Sequence, residues 1–91
     1  MADKRRLRDL VSVGKAIEQD FHLLGVFEVK QLAACNADEL FGRLQQLTGC
    51  RQDPCVLDTF NAAIAQAKDP NLPDEQCRWW YWSRLRKNRQ K

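Results

Sequence analysis

Ninety-one residues give room for one domain. With 44% hydrophobic and 30% charged residues the composition is that of a folded, soluble globule, and no apolar run nears the roughly 20 residues that span a membrane. The net charge of +3 hides a division: Lys4, Arg5, Arg6 and Arg8 at one end, Arg78, Arg84, Arg86, Lys87, Arg89 and Lys91 at the other, and an acidic middle.

Apolar spacing predicts helices throughout and no strand. Leu7, Leu10 and Val11 fall at i, i+3, i+4, which predicts a short first helix with Asp3 as its cap. Ser12-Val13-Gly14 interrupts it. A second helix carries Ile17, Phe21 and Leu24 on one face, and Gly25 suits the left-handed position just past its end. Val26 is expected to plug the turn, and a third helix over 29–34 buries Val29 and Leu32. Asn36 to Glu39 has the form of a capping box for a fourth helix, with Leu40, Leu44 and Leu47 as its stripe and Thr48-Gly49 as its end. Asp53-Pro54, a cap followed by proline at the first helical position, starts a fifth with Val56, Phe60, Ala63, Ile64 and Ala67 inward. The loop PNLPDEQ, with at most one helical turn after Pro73, leads to the stretch RWWYWSRLRK. The expected fold is all-α, a compact bundle of about five short helices, with residues 1–83 as the domain and 84–91 as a basic, flexible tail.

The start MADKRRLRDL lacks the apolar stretch of a signal peptide, so a cytoplasmic location is expected. Cys35, Cys50, Cys55 and Cys77 contain no C-x-x-C spacing, and with a single histidine, His22, no metal site is expected. They read as buried or incidental thiols, and His22 as a surface residue.

Residues 10–26, LVSVGKAIEQDFHLLGV, run helix, tight hydrophobic turn with glycine, helix, Leu-Gly-Val. This resembles a helix-hairpin-helix motif, in which a glycine–hydrophobe–glycine turn points the second helix's N-terminus at a DNA phosphate. Unpaired amides and the positive end of the helix dipole converge there, which favours an anion. By that resemblance Val13 is the inward hydrophobe and Gly14 the second glycine. The amides of Gly14, Lys15 and Ala16 donate to the phosphate, and the Lys15 ammonium adds charge. Ser12 stands where the motif has its first glycine, so it carries backbone strain there or caps the second helix with its hydroxyl.

With NADELFGRLQQLTG, QDPCVLDTFNAAIAQAKD and WWYW following in order, residues 10 to about 82 resemble the small bacterial family labelled pathogenicity-locus or mitomycin-resistance protein. A more distant likeness is to the C-terminal domain of the competence regulator TfoX. The resemblance implies a SAM-like helix-hairpin-helix domain and no defined reaction.

The three tryptophans pose a choice between core and ligand. Each ring can bury about 150–250 Å², so Trp79 and Trp82, on one side of a helix, are expected to pack on the hairpin and the Pro54 helix, with Trp80 or Tyr81 more exposed. An exposed ring can also stack on a base.

The leading expectation is a non-enzymatic module that binds DNA or other nucleic acid weakly and without reading sequence. Ser12, Val13, Gly14, Lys15 and Ala16 would take one phosphate, and Arg5, Arg6, Arg84, Arg86 and Lys87 would add diffuse attraction. The alternative is a protein-interaction or structural helical module, including a homodimer. No cofactor motif and no small-molecule substrate is identified. The one candidate for thiol chemistry is Cys55, one residue into a helix where the dipole can lower a thiol pKa, although burial is the expectation for it.

Overall fold

The computed structural model describes residues 5–89; Asp3, Lys4 and Lys91 lie outside them. Five α-helices form, α1 Lys15–Leu23, α2 Val29–Ala33, α3 Ala37–Thr48, α4 Pro54–Lys68 and α5 Trp79–Arg89, with no strand among the described residues. They are not the five expected. The Leu7-Leu10-Val11 stripe is a single 3₁₀ turn, Leu7–Asp9, after which Leu10 is extended. Leu7, Leu10 and Val13 are all buried without a continuous helix, because the turn and the loop fold inward together. The fifth α-helix is instead the aromatic stretch, entered through a second 3₁₀ turn, Asp74–Cys77. It runs on through Arg84–Arg89, where a tail was expected.

Local signals set most boundaries. Asn36 Oδ1 accepts from the Glu39 amide (3.1 Å) and Asp53 Oδ1 from the Cys55 amide (2.8 Å), each relieving an orphan donor at a helix start. Gly25 and Gly49 take φ of +82° and +67° past α1 and α3, where a side chain would be strained. Leu47, expected inward, is exposed.

The core forms around α4, which packs against α2, α3 and α5. Phe60 of α4 and Phe21 of α1 are fully buried with ring centroids 5.0 Å apart, and Val26, Val29, Leu32, Leu40 and Leu44 close around them. Ala62, Ala63 and Ala67 keep α4 thin enough to be covered on several sides.

Two polar side chains inside α4 tie the layers. Gln66, buried, accepts from the Val11 amide (2.8 Å) and donates to the Val11 carbonyl (2.9 Å) and the Ala62 carbonyl (3.2 Å). Asp58, fully buried, takes Arg86 of α5 in a two-pronged pair at 3.1–3.3 Å.

No tryptophan belongs to this core. Trp79 is 40% and Trp80 43% exposed, and Trp82 is half-buried with its Nε1 donating to the Gln76 carbonyl (2.8 Å). The expectation that Trp79 seals the hairpin is therefore corrected: phenylalanine, leucine and alanine fill that space.

Candidate nucleic-acid interface

Ser12 adopts φ +73°, the left-handed backbone that a glycine would take at no steric cost. Its hydroxyl does not cap α1; Gly14 is the cap residue, with no side-chain bond. Instead Ser12 Oγ donates to the Cys77 carbonyl (3.1 Å) and accepts from the Trp79 amide (3.2 Å). Such a backbone costs about 1–2 kcal/mol, and two hydrogen bonds at roughly 0.5–1.5 kcal/mol each offset it. The serine thereby fastens the start of α5 to the bend.

Val13 is buried, as the inward hydrophobe should be, with its amide on the Leu10 carbonyl (3.2 Å). Gly14, Lys15 and Ala16 are exposed. The first amide of α1 to find a backbone partner is that of Glu18, on Gly14 O at 2.9 Å. Among the described residues nothing accepts a hydrogen bond from the amides of Gly14, Lys15 or Ala16. Nor does any acid among them pair with Lys15. The bend is thus open and aims free donors outward at the positive end of a nine-residue helix.

Two acids follow it in α1. Glu18 is paired with Arg8 at 3.1 Å, and burial pushes the Asp20 carboxyl above its ordinary range.

The other basic residues are mostly engaged within the molecule. Arg5 donates to the Gln66 and Ala67 carbonyls (2.9 and 3.3 Å), a cation at the C-terminal end of α4. Arg6 pairs with Asp9, and Arg84 with Glu75 (3.3 Å) while lying over the Trp80 ring, 4.9 Å from its centroid. Arg86 belongs to Asp58, which holds its guanidinium above its ordinary pKa. Lys87 is exposed and no acid among the described residues pairs with it. Of the ten predicted residues, then, Gly14, Lys15 and Ala16 offer open donors at one place, and Ser12 and Val13 shape that place. Gln66, which fixes the bend through Val11, was missed; no periodicity marks a glutamine as interior.

A cavity of about 340 Å³ in the α4–α5 region is lined by Asp38, Leu57, Asn61, Trp82, Arg86 and Arg89. Arg86 is paired there with Asp58 behind it, and the lining sets one acid, Asp38, against its two arginines.

All four cysteines are free; Cys77 is buried, but Cys55 is exposed, contrary to expectation. A hydrogen bond to Asp53, then desolvation and the negative charges of Asp53 and Asp58, raise the Cys55 thiol above its ordinary pKa. This opposes the helix-start effect, because the carboxylate prefers the protonated thiol. Iodoacetamide near neutral pH is expected to label Cys55 more slowly in the folded chain than in urea, and Asp53→Ala should speed the folded reaction; mass spectrometry of the labelled peptide reads both.

Comparison with known proteins gives a match of residues 2–88 to the family described as Pathogenicity locus. The chain is 36% identical over 86 residues to the "Mitomycin resistance protein McrB" of Streptomyces lavendulae, covering 94% of this chain and 78% of that protein. No solved structure matches.

Proposed function

The chain belongs to the Pathogenicity locus family, and within it we propose the role of a non-enzymatic module that binds nucleic-acid backbone weakly and without reading sequence. The observation that carries the reading is the row of exposed amides at Gly14–Ala16, which have no acceptor among the described residues, together with the Lys15 ammonium. A phosphate oxygen accepts from such donors, and the dipole of α1 favours its charge. With one such bend and few uncommitted cations, Kd is expected on the order of 10⁻⁴–10⁻⁶ M at physiological salt, with a shallow salt slope.

A duplex titration with two variants tests this. Lys15→Gln removes the ammonium alone. Lys15→Pro removes the amide as well, at the first helical position, where proline fits and the preceding Gly14 is already extended. The wild type should bind at about 50 mM salt, Lys15→Gln more weakly, and Lys15→Pro more weakly again. Equal affinity for all three overturns the reading.

A second reading, docking of a protein, is favoured by the exposed Leu23, Phe27 and Leu47, of which Phe27 stacks on His22 with centroids 5.1 Å apart. Concentration-dependent sedimentation in a chain that binds no duplex would transfer the proposal to it. The relative's name extends to this chain only as a proposed phenotype, mitomycin tolerance. The raised Cys55 thiol lends no support to thiol-based inactivation as its route.

A further inference from the structure

We infer that the preferred ligand is a single strand, whose bases stack on the exposed tryptophan corner at the start of α5. The inference rests on the backbone reading of the bend and adds to it the class of nucleic acid. Trp79 and Trp80 keep 40% and 43% of their surface open to solvent, and the core closes without them. The corner is held rather than loose. The Trp79 amide is bonded to Ser12 Oγ, and the Arg84 guanidinium lies over Trp80 with Glu75 steadying it. Ser12 is two residues from Gly14, at most about 7 Å of chain, so the start of α5 lies close to the free amides.

The charge around the rings selects a polyanion over an apolar protein surface. Residues 78–89 hold Arg78, Arg84, Arg86, Lys87 and Arg89 and no acid. Asp74, Glu75 and Asp58 pair with three of them, leaving Lys87 and Arg89 without an acid partner among the described residues. Lys87 follows Arg84 by three positions and Trp80 by seven, so all three share a helical face. Aromatic rings interleaved with cations are the platform on which unpaired bases stack, whatever their sequence. A duplex cannot use it, because the faces of its bases are already stacked on one another.

The test titrates the full chain at about 50 mM salt against labelled strands of about 15 nucleotides, oligothymidylate and oligouridylate, and against a duplex of the same length. The single strands should bind about tenfold more tightly than the duplex and quench tryptophan fluorescence. Trp80→Ala should cost the strands about tenfold and leave the duplex within about twofold. Trp79→Ala is the second variant, and a thermal melt shows that each still folds. The DNA and RNA arms identify which strand is preferred; a stacking loss in either supports the inference. Equal affinity for strand and duplex, or an equal loss on both in the tryptophan variants, overturns it while leaving the bend reading intact. If strands bind through Trp80 but Lys15→Pro changes nothing, the bend reading falls and the platform stands. Binding of neither sinks both.

Discussion

Gln66→Leu is expected to lower the unfolding free energy by about 2–4 kcal/mol. The leucine occupies similar volume, so the loss is not one of packing. The amide and carbonyl of Val11 lose their shared partner, at 2.8 and 2.9 Å. A buried polar group left alone costs about 1–3 kcal/mol, and Val11 is half-buried, so water recovers part of each. Against a total of about 5–15 kcal/mol for a domain, the variant should unfold at a clearly lower urea concentration with an unchanged m-value. Because Val11 precedes the bend directly, duplex affinity should weaken in the same variant although Gln66 lies inside.

The Asp58–Arg86 pair should show an asymmetry. Asp58→Ala loses charge-assisted hydrogen bonds worth about 1.5–3 kcal/mol, yet Arg86, partly exposed, can turn to water. Arg86→Ala is expected to be more damaging, because it strands a fully buried carboxylate with no other donor among the described residues. The double variant should therefore be more stable than Arg86→Ala alone. Urea titration of the four-protein cycle measures it; a single Arg86 variant as stable as the wild type would show that the carboxylate escapes to solvent.

Much of the architecture was legible because it rests on local chemistry. Asn36, Asp53-Pro54, Gly25 and Gly49 each announce a helix end through a backbone group that needs a partner or a φ only glycine takes cheaply. The first segment was misread because the spacing of Leu7 and Leu10 reports burial, not backbone form. A left-handed Ser12 ends any helix there, and nothing nearby in sequence reveals that its hydroxyl partners lie 65 and 67 residues away. Trp79 was misassigned by an area argument that treated burial as compulsory, whereas Trp80 is the most exposed of the three rings, as expected, and Trp82 is half-buried. The space beside the hairpin was already taken by Phe21 and Phe60. Asp58 and Gln66 were overlooked for the opposite reason: polar residues are read as surface until a distant donor or acceptor explains them.

The contacts that fasten the bend come late in the chain. Val11 waits for Gln66, and Ser12 waits for Cys77 and Trp79. During synthesis from the N-terminus, the Ser12 loop emerges first and completes its clasp only when the start of α5 has left the ribosome. A nascent chain cut short before that helix would carry the same loop sequence without the contacts that hold its shape.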